Sequence, residues 1–320
     1  MRCRVWRVGG GIAGSSYPDA MADSEVRVDV DGRTLRLTNL EKVLYPATGT
    51  TKGEVLDYYA RISPVLLPHL ADRAVTRIRW PHGVQGGSFF EKNRPAGTPS
   101  WVRTVTVPTT GSRTDGQAGE LTFPIVDDLA TLTWLGNLAA LELHVHQWTV
   151  AEDGEVRNPN RLVIDLDPGE PAGLSECCQV ALLVRDRLAD HGLEGAPVTS
   201  GSKGLHLYAG LPGELDSEGT TALAKEIAEA LQRDHPAQVT ATMTKARRGG
   251  KVFLDWSQNS GSKTTVSPYS LRGRERPTVA APLTWDEVAA GAEDPLAVDQ
   301  LDFTEVLARV EEYGDLFAAP

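Results

Sequence analysis

The stretch Arg161-Leu-Val-Ile-Asp-Leu-Asp-Pro-Gly169 most restricts what this chain can become. Apolar, largely β-forming residues run into two carboxylates spaced i, i+2, and Pro168-Gly169 stops the run. The stretch reads as a buried strand ending at a loop. Side chains at i and i+2 of a strand share a face. Asp165 and Asp167 are therefore expected side by side, where like charges repel unless a proton or a cation lies between them. Mg²⁺ suits that place, because it takes one or two carboxylates plus substrate phosphates. Asp-x-Asp at a strand end is also common without any metal, so other stretches must decide.

Charge supplies the next constraint. The chain has 320 residues, 41% hydrophobic and 23% charged, which fits one large or two modest globular domains. No apolar run approaches the ~18 residues of a membrane span, and no hydrophobic signal core opens the chain, so the cytoplasm is the expected location. Cys3, Cys177 and Cys178 form no C-x-x-C pattern and support neither a disulfide framework nor a zinc site. A net charge of −11 argues against a surface coated in nucleic acid. Yet His235–Arg274 holds Lys245, Arg247, Arg248, Lys251, Lys263, Arg272 and Arg274 against a single acid, Asp255. Such a bias within an acidic chain reads as a polyanion-binding surface. Asp255 ends the apolar run of Lys251-Val-Phe-Leu-Asp-Trp256, and either a shared metal or a salt bridge would explain a carboxylate there.

Along the rest of the chain, Gly9–Gly14 matches G-x-G-x-x-G. Pro18 follows too soon for the required helix, and no βαβ unit surrounds it, so residues 1–20 read as a disordered or mis-assigned leader with Met21 as an alternative start. Val26–Leu37 reads as a hairpin turning at Asp31-Gly32. Thr51-Lys-Gly-Glu54 is a capping box opening a helix whose inner face is Val55, Tyr58, Tyr59, Ile62, Val65 and Leu66. Lys42 and Lys52, near loop–helix junctions, are phosphate-contact candidates. Residues 73–94 carry Arg73, Arg77, Arg79, Lys92 and Arg94, and the Phe89-Phe90 pair among them reads equally as core or as a base-stacking platform. A polar loop is expected over 108–120 and a helix over Asp128–Ala140. Leu141–Trp148 alternates as a half-buried strand with Glu142, His144 and His146 on its polar face.

Beyond the Asp-x-Asp strand, Leu174–His191 is an amphipathic helix stopped by Gly192. Thr199-Ser-Gly-Ser-Lys-Gly-Leu-His-Leu-Tyr-Ala209 then surrounds Lys203 with small residues that let backbone N–H groups approach an anion, with His206 on the strand that follows. The P-loop spacing is absent, and a purely structural turn fits as well. A helix over Thr220–Gln232 and a closing helix over Phe303–Phe317 complete the outline. Three carboxylates, two metals and a phosphate clamp are what nucleotidyl transfer requires.

Val163-Ile-Asp-Leu-Asp-Pro-Gly169, Ser200-Gly-Ser-Lys-Gly-Leu-His206 and Val252-Phe-Leu-Asp255 resemble, in order, three motifs of the polymerase domain of bacterial ligase D and its stand-alone relatives. That family is a branch of the archaeo-eukaryotic primase superfamily, and the resemblance runs from about Leu37 to Arg274 and nearly to the C-terminus. It implies an α/β (α+β) primase-like core, with two antiparallel-rich sheets flanked by helices around a cleft. Residues 21–320 would form one primase-polymerase domain: an N-terminal part (21–150), a catalytic part (151–275) and a closing segment (276–320).

The resemblance further implies that Asp165, Asp167 and Asp255 bind two catalytic Mn²⁺ or Mg²⁺ ions. His144, Ser200, Lys203, His206, Gln258, Arg272 and Arg274 would hold an incoming NTP or dNTP. Phe89 and Phe90 would stack on a template and Lys42 would recognise a 5′-phosphate across a gap. Lys52, Lys245, Arg247 and Arg248 are the remaining DNA-contact candidates. The implied activity is template-dependent nucleotide addition favouring ribonucleotides, at gaps or broken ends, in a nucleoid-associated enzyme. A chain with no ligase or nuclease domain suggests a stand-alone enzyme working with a separate ligase or with Ku. Two alternatives stay open. A haloacid-dehalogenase-type phosphatase also uses Asp-x-Asp after a strand, although Pro168 departs from its pattern. A non-catalytic nucleic-acid-binding module would need only the basic patch.

Overall fold

A computed structural model describes residues 25–109 and 119–317. The expected leader at 1–20 lies outside the described residues. Two sheets organise the rest. One has five strands in the order Gly195–Thr199, Leu205–Gly210, Arg161–Pro168, Val252–Asp255 and Val239–Thr240. All its neighbours pair antiparallel except the last two, which run parallel. The other has four strands in the order Thr265–Val266, Ala140–Val145, Val75–Arg79 and Phe89–Glu91, antiparallel throughout. The antiparallel-rich, helix-flanked α/β architecture expected from the sequence is therefore present.

Alternation along the Asp-x-Asp strand explains its position. Leu162, Ile164 and Leu166 are fully buried with Leu205, Leu207 and Leu254 on one face, against helices α3 (Leu174–Asp190) and α4 (Ser217–Asp234). Fully burying each such side chain is worth about 1.5–3 kcal/mol, so the register is strongly set. The opposite face carries Val163 and Tyr208 into a second core. That core also takes in α1 (Lys52–Leu70), α2 (Leu129–Asn137), the C-terminal helix Phe303–Tyr313 and the four-stranded sheet. Asp165, Asp167, His206 and Asp255 share this face at its open end.

Local signals behave as their chemistry demands. Thr51 caps α1, with Glu54 Oε2 accepting from Thr51 N at 2.7 Å and Thr51 Oγ1 accepting from Glu54 N at 3.3 Å. Glu25–Val30 and Arg33–Thr38 form the expected hairpin, with Asp31 at φ 51° and Gly32 at φ 73° in its turn. Three expectations are corrected. Residues 108–109 and 119–120 are not loop but the ends of paired strands, Thr104–Thr109 and Gly119–Pro124; residues 110–118 between them lie outside the described residues. The strand over 140–145 is interior to its sheet and has no exposed polar face: Glu142 is 4% exposed. His146, 2% exposed, lies beyond that strand, stacked on Trp148 at 4.2 Å.

Candidate active site

Asp165 pairs with His206 on one neighbouring strand and with Asp255 on the other. Directly opposed residues project to the same face, so His206, Asp165 and Asp255 form a row across three strands. Asp167 lies two residues along that face. His206 Nε2 is 3.3 Å from Asp165 Oδ1. The Gln258 amide donates to Asp255 Oδ2 at 3.0 Å and to Asp165 Oδ2 at 3.4 Å, spanning both carboxylates. Asp255 Oδ1 accepts from Ser257 N at 3.0 Å, which caps the short helical turn Trp256–Asn259. Lys263 Nζ stands 4.0 Å from Asp255 Oδ2 and contacts the Ser257 hydroxyl. Sequence reading had placed Lys263 only in a general cationic patch.

Negative charge at this strand end is under-compensated. The Asp167 carboxyl is pushed up to about 6, first by burial and then by the facing charge of Asp165. Among the described residues, no three His, Cys, Asp or Glu side chains form a ready-made metal cage. The donors are two aspartates locked by strand register and a third next to them. Hard oxygen ligands in this number fit Mg²⁺ or Mn²⁺ ions whose coordination is completed by water and substrate phosphates.

The turn at 200–204 abuts this row. Ser200, 7% exposed, accepts through its hydroxyl from the N–H groups of Ser202 (3.2 Å), Lys203 (3.2 Å) and Gly204 (3.1 Å). Of the two readings the sequence leaves open, an anion cradle and a structural turn, the amides fit the second: they are gathered onto Ser200. Gly204 is obligatory here, because a Cβ would lie 1.9 Å from the carbonyl oxygen of Leu166. Lys203 is exposed, with Glu170 Oε1 3.6 Å from its ammonium.

Beside the turn lies Glu142, which sequence reading noted only as a neighbour of His144. Its Oε2 is 2.8 Å from His144 Nε2. Its Oε1 is 3.3 Å from Arg272 Nε and accepts from Gly273 N at 3.0 Å. Its carboxyl is held down at about 2: burial would raise it, but the His144 hydrogen bond and the Arg272 charge outweigh that. Burial keeps the His144 imidazole below its ordinary range despite Glu142. Arg272 also reaches the Ser200 carbonyl, and Tyr45 Oη donates to the Arg272 carbonyl at 2.8 Å. Arg274 reaches solvent, yet partial desolvation by the surrounding chain and then the Arg272 charge lower its guanidinium.

The remaining candidates divide by exposure. Phe89 and Phe90 are 51% and 52% exposed, which favours a platform over core packing. Of the neighbouring arginines Arg94 is exposed and Arg79 partly so, but two turn inward. Arg77 is 1% exposed and pairs with Glu91 at 2.6 Å, and Arg73 is buried on the carbonyls of His146 and Gln147. Lys245 and Arg247 are exposed. The Arg248 guanidinium lies 3.5 Å over the Phe253 ring and donates to Met243 O. Lys42 is partly exposed. Lys52 departs from its expected surface role: it is 5% exposed, and Nζ donates to Thr38 O at 2.6 Å. Burial and the nearby Lys42 lower its ammonium to about 8.

Comparison with known proteins follows these motifs. The family model described as LigD, primase-polymerase domain, matches residues 51–317. The chain is 52% identical over 284 residues to the multifunctional non-homologous end joining protein LigD of Mycolicibacterium smegmatis, covering 89% of this chain and 36% of that protein. It is 35% identical over 281 residues to the bifunctional non-homologous end joining protein LigD of Bacillus subtilis, covering 88% of this chain and 43% of that protein. It thus spans well under half of these relatives. The solved polymerase domain of Mycobacterium tuberculosis ligase D in complex with DNA superposes with a TM-score of 0.81 at 50% identity, covering 89% of this chain and 98% of that one. No described helix is long and apolar enough to cross a membrane.

Proposed function

The chain belongs to the LigD primase-polymerase domain family, and from that premise we propose that it is a template-dependent nucleotidyltransferase of DNA end joining. It adds nucleotides, ribonucleotides by preference, to a primer 3′-hydroxyl at gaps or broken ends bearing a downstream 5′-phosphate. The observation that carries this reading is the Asp165–Asp255 pairing, flanked by His206. It gathers carboxylates, an imidazole and the turn at 200–204 at one strand end.

Asp165, Asp167 and Asp255 would hold the Mn²⁺ or Mg²⁺ ions. When bound, such ions acidify a hydroxyl nucleophile and neutralise a leaving pyrophosphate. The protein's own groups supply position. His206, oriented by Asp165 and Tyr208, would receive the triphosphate together with Ser200 and Lys203. His144 and Gln258 border the nucleotide, with Arg272 and Arg274 adding positive charge. Phe89 and Phe90 stack on template bases, and Lys42, with Lys245, Arg247 and Arg248, meets the DNA backbone. A DNA ligase and Ku are the partner proteins this role calls for, in a cytoplasmic, nucleoid-associated setting. The similarity to non-homologous end joining proteins supports that choice.

The test is extension of a 5′-phosphorylated gapped duplex with ribo- and deoxyribonucleotides, in Mn²⁺ or Mg²⁺. Ribonucleotides should add faster. Asp167→Ala should abolish addition while the gap is still bound, and Lys42→Ala should reduce the advantage of a 5′-phosphate. Equal rates for both sugars would remove the ribonucleotide preference. Phosphate release without a template would favour a phosphatase instead.

A further inference from the structure

Glu142 sits where two parts of the molecule meet. It belongs to the interior strand Ala140–Val145 of the four-stranded sheet, and its backbone pairs with Ile78. Its side chain crosses to the 270–274 segment, which in turn touches the turn at 200–204 of the other sheet. Both carboxylate oxygens are engaged at 4% exposure: Oε2 by His144 and Oε1 by Gly273 N and Arg272. The Arg272 contact is an ion pair without hydrogen-bond alignment at Nε, so charge holds it in place. Arg272 then reaches the Ser200 carbonyl, and the Ser200 hydroxyl collects three amides of its own turn.

We propose that Glu142 is a positioning residue for the incoming nucleotide, orienting His144 directly and the Ser200 turn through Arg272. This rests on the nucleotidyl-transfer reading and deepens it. Glu142 does not touch the nucleotide. Its one negative charge fixes two cationic or protonatable arms, His144 on its own strand and Arg272 on the 270–274 segment. Loss of the charge lets Arg272 swing free of Ser200, leaves His144 without its acceptor, and loosens both contacts together. A latch that served folding alone would lower stability without discriminating nucleotide from DNA.

The experiment compares wild type, Glu142→Gln, Arg272→Lys and the double variant. ATP binding with Mn²⁺ is measured by calorimetry, gapped-duplex binding by fluorescence anisotropy, and KM and kcat by gap extension, with thermal melting as a control. Glu142→Gln should weaken ATP binding and raise KM by about tenfold or more, lower kcat less, and leave duplex affinity unchanged. The double variant should be no worse than the poorer single variant, because both act through one contact chain. Unchanged ATP affinity in Glu142→Gln, or losses that multiply in the double variant, would overturn the proposal. If Glu142→Gln does not fold, Arg272→Lys decides alone, and unchanged ATP affinity there overturns it. A wild type that binds ATP and extends gaps while Glu142→Gln behaves identically removes only this inference. A wild type that binds no ATP removes the functional reading as well.

Discussion

Asp165 and Asp255 face each other across paired antiparallel strands, 90 residues apart in sequence, and the single amide of Gln258 spans them. Opposed like charges destabilise a sheet, so the fold tolerates this pair at a cost. Asp255→Asn should lower nucleotide addition by about 10³-fold or more, while the apoprotein melts at the same temperature or higher because a repulsion has gone. Gap-extension rates alongside calorimetric melting check both halves. A variant that loses stability and keeps activity would contradict the assignment.

The turn at 200–204 is bounded by a backbone approach rather than by side-chain chemistry. Gly204→Ala places a methyl against the Leu166 carbonyl, so the turn must move away from the Asp-x-Asp strand. A cost of about 2–4 kcal/mol is expected, with ATP affinity reduced by about tenfold. Chemical denaturation and ATP calorimetry on one preparation measure the two effects.

Much of this was readable from residue order, for a definite reason. Period-two alternation in Leu162–Asp167 and Leu205–Tyr208 fixes which side chains share a face, so the carboxylate and histidine row follows from local pattern plus strand pairing. The capping box at Thr51–Glu54 was equally local. What escaped reading depended on distant partners. Glu142 meets Arg272 and Gly273 some 130 residues later, and no periodicity announces that meeting. Nothing near Arg73 and Arg77 in the sequence reveals the carbonyls and the Glu91 carboxylate that take them inside. Lys52 turns inward for a carbonyl fourteen residues back. Charge counts along a chain cannot separate a buried guanidinium from an exposed one.

Phe89 and Phe90 stand half in solvent at the edge of the four-stranded sheet. Replacing both by alanine should leave melting within about 1 °C, since little packing is lost. Template stacking worth about 1–3 kcal/mol per base should disappear, weakening gapped-duplex binding by tenfold or more. Anisotropy titration with a short single-stranded template would report it. Unchanged affinity would return the pair to ordinary surface residues.

His146 supplies a pH dependence separate from the chemistry. Burial is the main cause that takes its imidazole down to about 3, and Nδ1 lies 3.2 Å from Ala74 O. The unfolded chain protonates this histidine near its ordinary 6.5 while the folded chain does not, so the stability it contributes is whole above that pH and falls as pH drops toward 3. The loss by pH 5 is on the order of 2 kcal/mol. Urea titrations of wild type and His146→Phe from pH 7 to 4 should diverge in that sense, and parallel curves would refute it.

The carboxylates proposed to hold the metal ions sit on rungs of a hydrogen-bonded ladder rather than on a flexible loop. Slippage of Val252–Asp255 by a single rung would send Asp255 to the helix-covered side and swing Leu254 into its place. On the proposed function, such an error would remove the chemistry outright rather than weaken it. Quality control over this enzyme is thereby written into the weave of its own backbone.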